Sequence, residues 1–380
     1  MGAGIAQLAA QSGARCLLAD PDAQALERGL ETARGRIERG VVKGRLRRED
    51  LGSLEGAADL SALAGAELVI EAAPEDLELK RELFAEVARH VAEDCVLATN
   101  TSSLSVTALA AGVPGPERVV GMHFFNPPPL MKLVEVVAAE GSSEEALAAT
   151  TAVAEQMDRT PIRAKDSPGF VANRLARPFS LESLRMLGDG VADVATIDRG
   201  VRLGGGFRMG PFELLDLIGL DVNLEIARSF FAQGGEPERW RPSPIQEQLV
   251  AEGRFGRKSG RGYYDYDEER ESDPDLGIDA PTLDPEQLAK IDPAAEQILS
   301  RLFAQTANEA AFALEEEVAS PEDMETAMKL GFNWPLGPLG ITELIGPQRA
   351  VEILDQLAAE HGEAYGTAPQ LRAQAGDELA

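Results

Sequence analysis

The sequence predicts an α/β domain built on a doubly wound parallel sheet, followed by two all-α domains. Three observations lead to this prediction. Up to about residue 165, short apolar runs alternate with helical patterns, which is typical of a parallel sheet covered by helices. After the stretch DSPGFVANRL the short apolar runs stop, and long helical patterns take over. The last part of the chain then repeats the pattern of the part before it.

The chain opens with MGAGIAQLAAQSGARCLLAD, which matches the second half of a dinucleotide-binding fingerprint. Gly2 and Gly4 introduce an Ala-rich helical pattern, and the apolar run after it ends in Asp20. A carboxylate at this place can accept a hydrogen bond from a ribose hydroxyl and disfavours a 2′-phosphate, so the pattern favours NAD over NADP. The strand that should precede the glycines is absent, so the predicted Rossmann-like sheet lacks its first strand.

Five apolar runs are the predicted strands of this sheet. They are CLLAD (16–20), ELVIEAA (67–73), CVLATN (95–100), VVGMHFF (119–125) and KLVEVVAA (132–139). Between the second and third runs, the spacing of Leu77, Leu83, Phe84 and Val87 predicts one apolar face of a helix. Strand, helix and strand in this order are the repeating unit of a doubly wound sheet.

Composition shifts divide the chain into four parts. Residues 1–165 form the predicted nucleotide-binding domain, and residues 166–266 a helical domain. Residues 267–292 are polar, acidic and rich in proline, which predicts a linker. Residues 293–380 form a second, degenerate copy of the helical domain.

The duplication is visible as a shift of 127 residues, which aligns 174–219 with 301–346 without a gap. The repeated residues include a Gly-Pro pair and the run LIG. Asn173 falls opposite Ser300, and the lead-in SPGFVA has no counterpart. One copy is therefore predicted to be functional and the other structural.

The charge of the chain limits its partners. A formal net charge of −28 argues against binding to nucleic acid or to an anionic membrane. No apolar run approaches the about 20 residues of a membrane span. With two cysteines, Cys16 and Cys95, buried thiols in a reducing compartment are the favoured interpretation over a disulfide, so we expect a cytoplasmic protein. No metal site is predicted.

His123 is the candidate catalytic base among three histidines. His90 ends a predicted helix, where an imidazole interacts with the C-terminal dipole, so a structural role is expected. His361 lies on the last helical pattern near Glu360 and Glu363, so a solvated role is expected. His123 lies at the end of a predicted strand, where open α/β sheets bind ligands, although a core histidine remains the alternative. If the turn NPPPLM reverses the chain, Glu135 in the next strand can face His123. A carboxylate on one imidazole nitrogen stabilises the imidazolium that forms when His removes an alcohol proton.

A basic cluster stands out in this acidic chain. Residues 34–48, RGRIERGVVKGRLRR, carry seven positive charges and one negative charge. Because like charges repel, such a cluster indicates an anchor for a phosphate-bearing ligand other than the dinucleotide. A solvated basic face is the alternative.

Together, several motifs resemble those of the 3-hydroxyacyl-CoA dehydrogenases. They are MGAGIAQ, NTSSLSVTALA, GMHFFNPPPLMKLVEVV, DSPGFVANRL, RMGPFELLDLIGLD and GRKSGRGYYDY. The resemblance covers residues 1 to about 266 in order, and the repeat extends it to the end. In that family Met1 coincides with an internal methionine of the glycine fingerprint, so we expect the natural start to lie upstream.

The resemblance implies NAD as cofactor and oxidation of an L-3-hydroxyacyl-CoA to a 3-oxoacyl-CoA, as in β-oxidation or phenylacetate-type pathways. His123 matches the family's base and Glu135 its partner. Ser102 and Asn173 match residues that contact the reacting oxygen and the nicotinamide region. The implied NAD contacts are Gly2, Gly4, Asp20, Glu75, Lys80, Ser102, Asn126 and Lys258, and the implied CoA phosphate contacts are Lys43 and, more weakly, Arg36.

The resemblance also carries an expectation about assembly, because the helical domain of two-domain relatives pairs with that of a second subunit. Here the second copy is expected to form an internal pseudo-dimer with the first, with a homo-oligomer still open. Two other functions remain open: a catalytically impaired acyl-CoA-binding or structural relative, and a dehydrogenase of a small 3-hydroxy acid without CoA. The acyl chain length, and whether the chain ends in a methyl or a carboxylate, are open too.

Overall fold

The computed structural model describes residues 1–266 and 293–376, so the predicted linker at 267–292 lies outside the described residues. The chain falls into two compact units, Met1–Phe170 and Val171–Ala380. The first unit carries all the named strands of the described chain, and the second is helical. The predicted class, an α/β domain followed by a helical region, is confirmed.

The strands of the first unit form two sheets. The smaller sheet pairs β1 (Cys16–Ala19) in parallel with β2 (Leu54–Ala57). The larger sheet has the order β3 (Leu68–Glu71), β4 (Val96–Thr99), β5 (Val119–Phe124), β6 (Leu133–Ala138) and β7 (Thr160–Lys165). All its neighbouring strands are parallel except β5 and β6, which are antiparallel. The carboxyl ends of β3, β4 and β5 therefore share one edge of the sheet.

Five helices connect these strands. They are α1 (Gly2–Gln11), α2 (Ala23–Val42), α3 (Leu77–Val87), α4 (Val106–Ala110) and α5 (Glu144–Gln156). Each of the last four begins after an Asp or Ser whose side chain accepts a hydrogen bond from a backbone N–H of the first turn. The start of α1 has no such cap from a side chain of the described residues.

The core of the first unit lies between helices α1 and α5 and the larger sheet. Ile5 and Leu8 of α1 and Leu147 of α5 are buried in one cluster with residues of β4, β5 and β6, among them Met122 and Val136. Both residues on the strands are fully buried, as expected for a sheet that is covered by helices. The strands are consequently held in place by a packed core.

The described part of the second unit contains eleven helices. They are α6 (Ala172–Leu175), α7 (Arg177–Gly188), α8 (Val194–Arg199), α9 (Pro211–Ile218), α10 (Leu220–Gln233), α11 (Pro244–Ala251), α12 (Pro293–Glu315), α13 (Pro321–Gly331), α14 (Pro338–Ile345), α15 (Pro347–His361) and α16 (Pro369–Gln374). Most helices from α9 onward begin with proline, whose missing N–H costs nothing in the first turn.

The two helical copies share an unusual helix cap. Asp198 accepts hydrogen bonds from the first backbone N–H groups of α9, and Glu325 accepts them from the first N–H groups of α14. These two carboxylates are related by the same 127-residue shift. A Cβ at Gly210 would lie 2.2 Å from Asp198, and one at Gly337 would lie 2.4 Å from Glu325, so only glycine fits before either helix.

Buried ion pairs connect α6 and α7 with α12. Arg174 donates from Nε to Glu309 Oε1 at 2.8 Å, and Arg301 donates from Nε to Glu182 Oε1 at 2.7 Å. All four side chains are at most 5 % exposed. The shift of 127 residues turns one pair into the other, because Arg174 corresponds to Arg301 and Glu182 to Glu309. Each copy thus supplies an arginine to a glutamate of the other.

None of the helices in the described residues is long and apolar enough to cross a membrane.

Candidate active site

His123 and Glu135 face each other across the antiparallel pair β5 and β6. The two residues are direct partners in the strand register. His123 Nδ1 lies 2.6 Å from Glu135 Oε2, and the side chains are 7 % and 0 % exposed. The chain reversal over residues 126–131 includes a cis peptide before Pro127. The pairing that the sequence predicts is therefore present, and it leaves Nε2 of His123 as the ring nitrogen for a ligand.

Two aromatic rings pack against the imidazole. The ring centroid of Phe125 lies 4.7 Å from that of His123, and the ring centroid of Phe170 lies 5.8 Å from it. Phe170 has a φ of 53°, a left-handed conformation that bulky residues rarely adopt. A strained residue beside a candidate catalytic group is typical of functional sites. The sequence stretch SPGF pointed to this loop, although Phe170 itself was not among the predicted site residues.

Glu75 holds the loop that carries Ser102. Its Oε1 accepts hydrogen bonds from the Thr101 hydroxyl, from the backbone N–H groups of Ser102 and Ser103, and from the Ser103 hydroxyl. Burial alone would raise the pKa of Glu75, but these donors and the nearby charge of Lys80 outweigh burial and lower it. Glu75 is therefore a carboxylate that fixes the loop after β4, next to the end of β5.

Lys80 is buried beneath this loop. Its ammonium donates to Glu71 Oε1 at 2.7 Å and to the backbone oxygen of Ala73 at 3.1 Å, and it lies 3.4 Å from Glu75. Lys80 and Glu71 are each 1 % exposed. The family resemblance implies an NAD contact for Lys80, whereas its ammonium is bonded to carboxylates of its own chain. Glu71, the last residue of β3, was missed because a strand-end acid carries no signal of its buried partner.

The first turn of α1 fits a dinucleotide phosphate group. Among the described residues it has no side-chain cap and no acidic residue, so its free N–H groups and dipole favour an anion. A Cβ at Gly2 would touch Leu18 of β1 and Ala72 after β3, so this turn lies at the carboxyl ends of both strands. A Cβ at Gly4 would lie 3.2 Å from Pro128, in the loop after His123. Gly4 thus allows a close approach between α1 and the loop beside the dyad.

Asp20 and Asn126 are exposed at the same end of the first unit. Asp20 follows β1, and its Oδ1 accepts a hydrogen bond from the backbone N–H of Asp22. Asn126 follows β5 two residues after its last strand residue. Together with the uncapped α1, an exposed acid after β1 suits the phosphates and ribose of NAD. The residues present therefore fit this cofactor.

The basic cluster of residues 34–48 lies on the second half of α2 and just beyond it. Arg34 donates to the backbone oxygen of Leu54, and Arg48 pairs with Glu38 at 2.8 Å. Arg36 and Lys43, the two implied CoA contacts, are exposed and form no ion pair within the described chain. Part of the cluster therefore stabilises the fold, and part of it presents charge to solvent.

The second unit carries the other two predicted site residues. Asn173 lies in α6, is half-buried and lines a cavity within that unit. Lys258 follows α11, and its Nζ lies 2.6 Å from a carboxylate oxygen of Asp221. The hydrogen bond from Lys258, and to a smaller extent its charge, lowers the pKa of Asp221. Lys258 is thus held by an acid of its own unit, and Asn173 lies beside a cavity of that unit.

Comparison with known proteins gives consistent matches. The family model described as "3-hydroxyacyl-CoA dehydrogenase, NAD binding domain" matches residues 1–167. The model described as "3-hydroxyacyl-CoA dehydrogenase, C-terminal domain" matches residues 169–266 and again residues 298–378. The C-terminal model thus matches both helical copies.

Similar proteins cover most or all of the chain. A 3-hydroxyadipyl-CoA dehydrogenase of Escherichia coli is 36% identical over 96% of this chain and 92% of its own length. A probable 3-hydroxybutyryl-CoA dehydrogenase of Deinococcus radiodurans is 40% identical over 70% of this chain and 96% of its own. A crystal structure of a 3-hydroxybutyryl-CoA dehydrogenase from Escherichia coli has a TM-score of 0.87 and 35% identity, covering 99% of this chain and 96% of that one.

Proposed function

The chain belongs to the 3-hydroxyacyl-CoA dehydrogenase family, and from this premise we propose that His123 and Glu135 are the base of its reaction. The enzyme oxidises a 3-hydroxyacyl-CoA to the 3-oxoacyl-CoA, and NAD is its cofactor. In the balanced reaction, the alcohol carbon gives a hydride to NAD and the hydroxyl gives up its proton. The buried contact of 2.6 Å between His123 and Glu135 is the observation that carries the proposal.

In this mechanism, Nε2 of His123 removes the proton of the C3 hydroxyl. Nδ1 donates to Glu135, so the imidazole keeps the tautomer that leaves Nε2 free to accept. The developing imidazolium is stabilised by a carboxylate that is not screened by solvent, and general-base catalysis of this kind contributes about 10²- to 10⁴-fold. NAD, when bound, supplies the hydride acceptor. Phe125 and Phe170 exclude water from the imidazole.

Ser102 and Asn173 have the role of orienting the oxygen on C3. Support for Ser102 comes from the loop held by Glu75 and from its place beside the end of β5. Lys80 acts through Glu71 and Glu75 rather than on the cofactor, and is therefore a positioning residue. Gly2, Gly4 and Asp20 hold the cofactor at α1, with Asn126 and Lys258 as further contacts that rest on the family resemblance alone.

The CoA moiety binds to the solvent-facing part of the basic cluster. Arg36 and Lys43 are charges that remain without an ion pair in the described chain, which is the property that a phosphate anchor needs. A dehydrogenase of a free 3-hydroxy acid would have no use for such charges. Competition by free CoA separates the two functions, because CoA inhibits only an enzyme that binds its phosphates.

Replacing His123 by Gln tests the proposed base. We expect kcat with 3-hydroxybutyryl-CoA to fall by at least about 10²-fold while the affinity for NADH stays near that of the wild type. The matched control is His90→Gln, because His90 lies after α3 and its ring pairs with the surface residue Glu86 at 3.1 Å. Turnover of His123→Gln at the rate of the control would remove His123 from the mechanism.

We further propose that the two helical copies form an internal pseudo-dimer. A two-fold interface uses the same patch twice, so that residue i contacts j and j contacts i. The two reciprocal buried Arg–Glu pairs have this form, and they support the proposal. Deletion of 293–380 would remove the partner of an apolar face, so we expect dimerisation or aggregation by light scattering. A truncated chain that stays monomeric would contradict it.

A cytoplasmic location is part of the same proposal. Cys16 and Cys95 are free, and burial raises the pKa of each thiol to about 11. Cys95 is buried and Cys16 is partly buried, and unreactive thiols of this kind are compatible with a reducing compartment, in which disulfides are rare. Fractionation of the source cells with an activity assay would test the location, and activity in the membrane or secreted fraction would contradict it.

A further inference from the structure

Arg177, the first residue of α7, is a buried cation whose donors are not used. The residue is 7 % exposed, and its Nε and Nη1 have no hydrogen-bond partner among the described residues. Its guanidinium lies over the ring of Phe230, with Cζ 5.0 Å from the centroid. Burial lowers the pKa of Arg177 to about 10. Buried arginines are almost always paired with an anion, whereas Arg177 has none within the described chain. The side chain is therefore suited to an anion from outside the chain.

The other buried arginines of these helices have their anions. Arg174 binds Glu309, and Arg301 binds Glu182, with N–O distances of 2.8 and 2.7 Å. The helical repeat does not need a cation at the place of Arg177, because the shift of 127 residues puts Ala304 there in the second copy. Arg177 is therefore specific to the copy that carries Asn173.

Arg177 lines a cavity of about 70 Å³ within the second unit. Asn173 and Ser180 line the same cavity, and its other walls are mainly apolar, with Leu215 and Trp334 among them. None of the described residues that line it is acidic. The volume exceeds that of a single water site several times. An apolar space with one cation and a few amide or hydroxyl groups suits a short hydrocarbon chain that ends in an anion.

We propose that Arg177 binds the distal carboxylate of the acyl chain, so that the preferred substrate is the CoA thioester of a 3-hydroxy dicarboxylic acid. This inference rests on the proposed function, in which Asn173 contacts the oxygen on C3. Arg177 follows Asn173 by four residues, about 6 Å along a helix axis, and Ala176 between α6 and α7 keeps helical dihedral angles. The three carbon–carbon bonds from C3 to a C6 carboxylate cover about 4 Å when extended, and a hydrogen bond to the guanidinium adds about 3 Å.

A carboxylate also fits the chemistry of the guanidinium. The planar donors of arginine match the two oxygens of a carboxylate, and in a water-poor cavity this hydrogen bond is charge-assisted. A methyl-ended chain would fill the same space but leave the cation without a partner. Discrimination against it comes from that unpaired charge, in the way that a polar site rejects an analogue lacking its partner group.

The test compares two six-carbon thioesters that differ only at the far end, 3-hydroxyadipyl-CoA and 3-hydroxyhexanoyl-CoA. For the wild type, we expect kcat/KM to be about 10- to 10²-fold higher with the adipyl substrate, the range of a hydrogen bond to a charged group. Arg177→Met should abolish this preference by lowering kcat/KM for the adipyl substrate alone. Arg228→Met, which removes a half-exposed charge on α10, is the control and should keep the preference.

Equal kcat/KM values for both substrates in the wild type would overturn the proposal without any variant. A preference that survives Arg177→Met would also overturn it. Titration calorimetry with adipyl-CoA and hexanoyl-CoA, which lack the hydroxyl and do not react, gives the same comparison by binding alone. If neither hydroxyacyl substrate is oxidised, the proposed function fails, and the calorimetric preference still decides the role of Arg177.

Discussion

Replacement of Glu135 by Gln isolates the charge of the dyad from its shape. Gln keeps the size of the side chain and an oxygen that can accept the proton of His123 Nδ1. It removes only the negative charge that faces the imidazolium. Glu135 is fully buried on β6, directly across from His123 on β5, so the substitution removes a charge that solvent does not screen.

The expected size of the effect follows from the geometry. Two unit charges about 4 Å apart at an effective dielectric constant of about 20 attract by about 4 kcal/mol, which is an upper limit for the lost stabilisation. The hydrogen bond to the new amide oxygen recovers part of it, leaving a loss of roughly 3 kcal/mol, or about 10²-fold in kcat. The affinity for NADH should not change, because Glu135 acts on the proton transfer.

Initial rates of NADH formation from 3-hydroxybutyryl-CoA give kcat, and fluorescence titration gives the affinity for NADH. Glu140→Gln is the matched control, since Glu140 is an exposed acid just after the same strand. Unfolding midpoints of both variants show whether the fold persists. A kcat for Glu135→Gln within about threefold of the wild type, in a folded protein, would refute the electrostatic role of the carboxylate.

Two further predictions concern the basic cluster and the helix caps. Lys43→Glu combined with Arg45→Glu should raise KM for acyl-CoA but not for a substrate truncated at pantetheine, and equal effects on both substrates would leave the cluster without a role in binding. The caps should respond to pH in opposite directions. Burial raises the pKa of Asp198 to about 7, although its hydrogen bonds act to lower it. Its contribution to the free energy of unfolding is therefore lost as pH rises from about 4 to 7. Burial also acts to raise the pKa of Glu325, but the hydrogen bonds from Lys329 and the backbone outweigh burial and lower it, so the contribution of Glu325 is lost as pH falls. Urea unfolding at pH 4 to 7 gives the free energy of unfolding at each pH. This free energy should decline less steeply with rising pH for Asp198→Asn than for Glu325→Gln, by up to about 1.4 kcal/mol per pH unit. Identical slopes for the two variants would contradict both assignments.

The sequence predicted the strands with apolar residues on both faces, because parallel strands covered by helices read as continuous apolar runs. The strands β2 and β7 were not predicted, because neither is a continuous apolar run. β2 consists of LEGA, in which Glu55 and Gly56 are exposed. β7 consists of TPIRAK, in which Pro161 and alternating charges argue against a central strand, and it lies at the edge of the sheet.

The dyad could be predicted because a tight reversal between two strands fixes which residues face each other. Partners from distant parts of the chain could not. Lys80 looks like a surface helix residue until Glu71 of β3 is seen beneath it. The cavity beside Arg177 is lined in part by Trp334 and Phe332 from the second helical copy. Such contacts arise from tertiary packing, which carries no local sequence signal.

The central claim is that His123 assists hydride transfer from C3 of a 3-hydroxyacyl-CoA to NAD. It is tested most directly with 3-hydroxybutyryl-CoA deuterated at C3, by mass spectrometry of the nicotinamide product. We expect one deuterium in each NADH and the L-enantiomer as the substrate, with the same labelled product formed far more slowly by His123→Gln. Deuterium released to water, or equal rates for wild type and variant, would contradict it.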